Sequence, residues 1–182
     1  MNRNRIALAL ALVLAASFVL APAALAQTTP DPAIQKARED TAVVFDLGRT
    51  FGYLMTIEKD SKVPALSATQ LKDLYDIMVQ IRTTKRIEPA PAKAWLAKIE
   101  DKILTPAQLM AVDKLAAAAA AARTGTPGAG TGTGPGASGT GGSSSLQSYV
   151  AGGEFNPITD ATKTMGTDFK TFFDYAAKKL GK

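Results

Sequence analysis

The side chains that could do chemistry in this 182-residue chain are carboxylates, hydroxyls and lysines, because it contains no histidine and no cysteine. The commonest general base and the commonest transition-metal ligand are therefore absent, as are thiol nucleophiles and disulfides. Acid–base or nucleophilic chemistry would have to use paired carboxylates, a Ser–Lys arrangement or a tyrosine base, and the neighbouring sets are Asp73 with Asp76, Glu100 with Asp101, and Ser61 with Lys62.

These three sets are more typical of solvated helix faces and loops than of an active site. No glycine-rich catalytic turn frames any of them, and nothing around Ser61 resembles a nucleophile motif. The sequence therefore predicts no catalytic residue, no cofactor-binding residue and no metal ligand. We expect a protein that is not an enzyme and that needs no cofactor.

Two short segments share one pattern, LSATQ at 66–70 and LTPAQ at 104–108. Each has a leucine, a hydroxyl residue, two spacers and a glutamine, and an amphipathic run follows at once. The pattern predicts a capping box in which the hydroxyl accepts a hydrogen bond from the glutamine N–H and the glutamine side chain reaches back. The predicted helix-capping residues are Ser67, Gln70, Thr105 and Gln108.

The same two segments resemble the LTxxQ signature of the Spy/CpxP-like periplasmic chaperones. The second copy, LTPAQ, matches the signature fully, and the first, LSATQ, has serine in place of threonine. The resemblance implies a small, secreted, all-helical protein without a cofactor. It also implies a homodimer that binds unfolded or exposed apolar polypeptide, so that unfolded or envelope proteins are the expected partners.

Apolar residues at helical spacing fill residues 27–123 and predict an all-α domain. The first helix, about 31–59, has a core stripe of Val44, Leu47, Phe51 and Leu54, and a second helix covers about 68–84. A third helix follows the Pro-containing turn at 88–91, and a fourth begins after Thr105. Short connections favour a small antiparallel bundle of about four helices.

Gly48 and Gly52 lie four residues apart within the first predicted helix. Glycine weakens a helix interior, so these positions need a packing reason. The spacing predicts either a close crossing with another helix or a kink near Gly48.

Residues 124–145 are almost entirely Gly, Thr, Ser, Pro and Ala. Such a segment has too little apolar surface to offset its ordering entropy, so the sequence predicts a flexible linker between the first domain and a C-terminal helical segment at 146–182.

Apolar spacing in the C-terminal segment predicts one amphipathic helix, which is regular from about Thr167 onward. Its aromatic residues Phe169, Phe172, Phe173 and Tyr175 form a possible partner-binding surface, or the helix completes the core of the first domain. A further alternative is a peripheral membrane or cell-wall tether, because lysines end a helix with one apolar face.

Residues 1–26 have the pattern of a secretory signal, with Arg3 and Arg5 before an uncharged run and Ala24-Leu25-Ala26 at its end. We expect cleavage after Ala26, no transmembrane anchor afterwards, and a location in the bacterial periplasm or cell envelope. Loss of Arg3 and Arg5 leaves 19 basic residues against 16 acidic ones. This small and dispersed excess argues against a nucleic-acid partner.

Overall fold

The computed structural model describes residues 31–124 and 141–182, and within these ranges the chain is all-α. The predicted all-α class is confirmed: the described residues form six α-helices and no strand longer than an isolated bridge. The α-helices are α1 (Pro32–Lys59), α2 (Ala68–Thr83), α3 (Pro89–Lys98), α4 (Pro106–Thr124), α5 (Gly141–Val150) and α6 (Thr164–Lys179). The predicted signal at 1–26 and most of the predicted linker lie outside the described residues. No helix within the described ranges is both long and apolar enough to cross a membrane.

The first helix, α1, is the element against which most of the other helices pack. Asp31 caps it by accepting a hydrogen bond from the Ala33 N–H at 2.8 Å, and Pro32 occupies its first position, where a missing N–H does no harm. Its predicted stripe is fully buried, and α1 contacts α3, α4, α5 and α6. The apolar periodicity of α1 therefore places the core of the whole described structure.

The third helix ends in a π-helical turn, Ile99–Ile103, rather than continuing as a regular α-helix. The Leu104 N–H donates to the Ile99 carbonyl at 2.9 Å, which is the i to i+5 bond of this wider turn. The turn keeps Ile99 and Ile103 buried and brings the chain directly to Thr105, the residue before α4.

The last helix, α6, packs its aromatic face into the same core as α1 and α2. The ring centroids of Phe51 and Phe169 lie 5.1 Å apart, and those of Tyr75 and Phe173 lie 4.8 Å apart. Phe172 is fully buried, and Phe169 and Phe173 are nearly so. Of the two roles left open for this helix, the structure therefore favours completion of the core.

This packing corrects the hypothesis that Phe169, Phe172, Phe173 and Tyr175 form a partner-binding surface. The three phenylalanines are covered by α1 and α2, and Tyr175 is half-buried with its hydroxyl bonded to Glu58. A partner could not reach these rings without displacing the helix from the core. The segment at 146–182 is thus an integral part of the core formed by the first domain.

The chain enters this C-terminal part earlier than the sequence predicted, because α5 begins at Gly141, inside the range assigned to the linker. Leu146 of α5 is buried, and Tyr149 packs edge-on against Phe155 with centroids 4.9 Å apart. Phe155 in turn pairs with the α2–α3 connection: the Ile87 N–H donates to its carbonyl at 2.7 Å. These contacts stabilise a helix whose Gly- and Ser-rich start has little intrinsic preference for one.

The two helical glycines of α1 allow a close crossing with α6. A Cβ atom on Gly48 would lie 2.2 Å from Met165 Sδ, and one on Gly52 would lie 2.9 Å from Asp168 Oδ2. These short distances confirm the close crossing, and α1 is one continuous helix from Pro32 to Lys59.

A third glycine, Gly166 of α6, is packed against backbone rather than side-chain atoms. A Cβ atom there would lie 2.1 Å from the backbone oxygen of Asp160. Gly166→Ala should therefore lower the free energy of unfolding by about 1–3 kcal/mol, because backbone atoms cannot rotate away. Gly52→Ala is the matched control, since the carboxylate of Asp168 can move and alanine favours the helix by about 1 kcal/mol. Urea unfolding of both variants checks this, and equal destabilisation would contradict it.

Candidate functional site

Both predicted capping boxes are present. At α2, the Gln70 N–H donates to Ser67 Oγ at 3.2 Å, and the Ser67 N–H donates to Gln70 Oε1 at 2.8 Å. At α4, the Gln108 N–H donates to Thr105 Oγ1 at 3.4 Å, and the Thr105 N–H donates to Gln108 Oε1 at 2.9 Å. The capping roles of all four residues are confirmed.

The two capping boxes also bind each other through their glutamine side chains, which we call the amide pair. Gln70 Nε2 donates to Gln108 Oε1 at 2.8 Å and to the Ile103 carbonyl at 2.6 Å. Gln108 Nε2 donates to the carbonyls of Pro64 and Ala65 at 2.9 and 3.2 Å. The amide pair therefore joins the α1–α2 loop, the π-helical turn and the starts of α2 and α4.

This arrangement requires glutamine rather than glutamate at both positions. A carboxylate could accept the capping N–H, but it could not donate to the carbonyls on its other side. Gln108 is only 1% exposed, so a lost donor there would leave part-buried carbonyl oxygens without their partner.

Glu58, near the end of α1, connects the first motif to α6. Its Oε1 accepts a hydrogen bond from the Leu66 N–H at 2.5 Å, and its Oε2 accepts one from the Tyr175 hydroxyl. Burial, followed by this hydrogen bond and the nearby negative charge, raises the pKa of Tyr175 to about 12. A chain of hydrogen bonds thus runs from α6 through α1 to the amide pair.

The amide pair fixes the start of α4, and with it the side of that helix that faces solvent. Gln108 and Val112 point inward and are buried, whereas Met110 is 72% exposed. Lys114 and Ala117 lie above Met110 at helical spacing and are also exposed. We call Met110, Lys114 and Ala117 the α4 outer face.

The side chains considered for catalysis are not brought together. Asp76 pairs with Lys72 at 3.1 Å on the surface of α2, and Ser61 and Lys62 are exposed in the α1–α2 loop. Glu100 lies in the π-helical turn, where burial and, to a lesser extent, Asp113, Asp101 and Asp46 raise its pKa. Within residues 31–124 and 141–182, no group of three or more acidic residues is arranged to hold a metal ion.

Comparison of the chain with protein-family models, curated proteins and solved structures gave no match. The resemblance to Spy/CpxP-like proteins therefore rests on the two motifs.

Sequence reasoning found each capping box but missed the bond between them and the role of Glu58. The available signal was the glutamine in both motifs. Of glutamate and glutamine, the two residues that complete a capping box, only glutamine can accept at the cap and also donate elsewhere.

Gln108→Glu should keep the cap and the bond from Gln70 but lose both bonds to the α1–α2 loop, lowering the free energy of unfolding by about 2–3 kcal/mol at neutral pH. The carbonyls of Pro64 and Ala65 lose their donor and face a carboxylate instead. Burial raises the folded-state pKa of the new carboxyl above its unfolded value of about 4.3, so the loss should shrink as pH falls through that raised pKa. Chemical unfolding at several pH values measures this.

Two controls separate the amide pair from the caps. Ser67→Ala removes one cap and should lower the free energy of unfolding by about 1 kcal/mol with no such pH dependence. A double-mutant cycle with Gln70→Ala and Gln108→Ala should show a coupling of about 0.5–3 kcal/mol. Strict additivity of the two alanine variants would show that the amide pair adds nothing to the two separate capping boxes.

Tyr175→Phe should lower stability by about 1–3 kcal/mol, because the buried side of Glu58 loses its donor. A raised folded pKa means that the contribution of Tyr175 is present below pH about 10 and is lost as pH rises through about 12. The wild type and the variant should thus converge in stability over this window. Ultraviolet titration of the tyrosines should show a component near pH 12 that the variant lacks, and persistence of that component in the variant would contradict the assignment.

Proposed function

We propose that this protein is a secreted, non-enzymatic protein of the bacterial cell envelope that binds polypeptide or another envelope component in a chaperone-like way. The observation that carries the proposal is the amide pair, which couples two LTxxQ-like motifs and holds α4 with Met110 facing solvent. The motifs supply the resemblance to Spy/CpxP-like proteins, and the α4 outer face supplies a surface.

The chemistry of the α4 outer face suits an unfolded or partly unfolded client. Methionine is unbranched and polarizable, so it adapts to apolar side chains of different shapes. Ala117 leaves the helix backbone accessible to close approach, and Lys114 keeps the surface hydrated when no client is bound. The described surface has two other exposed large apolar side chains, Val79 on α2 and Val150 on α5.

In the proposed architecture, α1 to α4 form a small antiparallel bundle, and two copies of the protein associate as a homodimer. Light scattering on the mature protein tests the dimer separately from client binding.

Met110→Asp should weaken the suppression of client aggregation, because it replaces an apolar contact with a charge. Complete burial of a methionine side chain contributes about 1.5–3 kcal/mol, so partial loss predicts roughly a tenfold higher protein concentration for half-maximal suppression. The measurement is light scattering of a chemically denatured model client diluted into the protein.

Val150→Asp is the matched control, because it makes the same change at an exposed apolar side chain of another helix. It should leave suppression within about twofold of the wild type. Equal loss in both variants would remove the α4 outer face as the binding surface. No suppression by the wild type at tenfold excess over client would overturn the proposed function itself.

A further inference from the structure

One end of the molecule collects lysines from two elements that are distant in sequence. Lys59 ends α1, and Lys62 follows in the α1–α2 loop. Lys178 and Lys179 end α6, and Lys182 follows that helix. We call the five together the basic end: Lys59, Lys62, Lys178, Lys179 and Lys182.

Helical spacing places the lysines of α6 on the side of Tyr175. Lys178 and Lys179 follow this tyrosine by three and four residues, and such residues share one face of a helix. Lys179 Nζ lies 5.6 Å from the centre of the Tyr175 ring. The chain then turns at Gly181, whose positive φ of 68° and hydrogen bond to the Lys178 carbonyl close the helix.

The hydrogen bond from Tyr175 to Glu58 joins this face to the end of α1. Glu58 directly precedes Lys59, so the lysines of α6 and those of the α1–α2 loop lie at the same end of the core. Lys182 completes the group, because its Nζ lies 4.2 Å from the centre of the Tyr75 ring on α2.

The positive charge of the basic end is not neutralised by ion pairs. Among the residues that the structure describes, the six ion pairs within 4 Å involve other lysines and arginines. Three acidic residues lie within four positions of these lysines along the chain: Glu58, which accepts from Leu66 and Tyr175, Asp60, which accepts from the Lys62 N–H, and Asp174, which pairs with Lys170. The five lysines therefore outnumber the carboxylates beside them, and each of those carboxylates already accepts a hydrogen bond.

We propose that the basic end binds the surface of anionic lipid bilayers by electrostatic attraction, without insertion of an apolar helix face. The phenylalanines that could insert are buried in the core, so at this end α6 offers a membrane its lysines and Tyr175 rather than an apolar face. This surface differs from the α4 outer face and does not depend on the proposed client binding.

The residue types at the basic end favour lipid headgroups. All five cations are lysines, whose hydrated point charges suit diffuse attraction to a charged surface better than bidentate recognition of a single group. Tyr75 and Tyr175 lie beside them, and tyrosine is enriched at membrane–water interfaces.

The experiment is co-sedimentation of the full-length mature chain with phosphatidylglycerol-containing vesicles, and with phosphatidylcholine vesicles as the uncharged reference. The wild type should pellet with the anionic vesicles at about 0.05 M salt and should be released at about 0.5 M salt, where charges are screened within a few ångströms. The triple variant K62Q/K178Q/K179Q should bind anionic vesicles roughly a hundredfold more weakly, since each lysine near such a surface contributes about a factor of five to ten.

The matched control is K93Q/K98Q/K102Q, which removes the same charge from α3 and the π-helical turn. Those elements pack against α1 and α2, and their three lysines are also exposed. This variant should bind within about fivefold of the wild type. Circular dichroism melting of both variants verifies that they are folded.

Three outcomes would overturn the proposal. Equal weakening in the two triple variants would mean that net charge alone governs binding. Salt-resistant pelleting would mean that an apolar surface inserts. Failure of the wild type to pellet, together with binding to polyglutamate, would assign the basic end to acidic polypeptides instead of lipid.

Discussion

The hydrogen bond from Gln70 to Gln108, together with the backbone groups that the two side chains bind, is the constraint on which the rest of the structure depends. Each side chain caps its own helix with its oxygen and uses its nitrogen to bind carbonyl groups of another segment. Removing either amide would take away the bond to the N-cap N–H and also leave a carbonyl of Ile103 or Pro64 without its donor. Gln108 is buried, so loss of its bonds is costly. One pair of side chains therefore joins the starts of α2 and α4 to the segments beside them.

A second constraint comes from the crossing of α1 and α6. Small residues at Gly48 and Gly52 let α6 approach closely, and the aromatic rings then fill the space beside Phe51. This packing makes the C-terminal segment part of the core rather than a separate arm. The consequence for function is direct, because the aromatic residues that looked most suitable for binding are the ones that the fold uses. The two proposed binding surfaces, the α4 outer face and the basic end, therefore lie outside that face.

Local signals in the sequence predicted most of the helical framework. Apolar periodicity together with an N-cap placed α1 and α2 within one residue of their observed bounds, and Thr105 marked the start of α4. The helix α5 was missed because its first residues, Gly141 to Ser145, have the composition of a linker, and tertiary contacts of Leu146 and Tyr149 override that preference. The amide pair was missed for a different reason. Its partners are 33 to 44 residues apart, and a capping motif contains no information about which distant carbonyl its amide will meet.

The position of the amide pair links the two proposed binding surfaces. Gln108 binds Pro64 and Ala65, which follow Lys62 of the basic end by two and three residues, and Met110 follows Gln108 by two. Loosening the amide pair would therefore free the loop that bears Lys62 and the first turn of α4 together. The two surfaces differ in physical character, since apolar contact with Met110 is weakly affected by salt and attraction to the lysines is strongly reduced by it. A protein held at a charged surface by one end could thus keep its apolar face available to clients, provided that the amide pair stays intact.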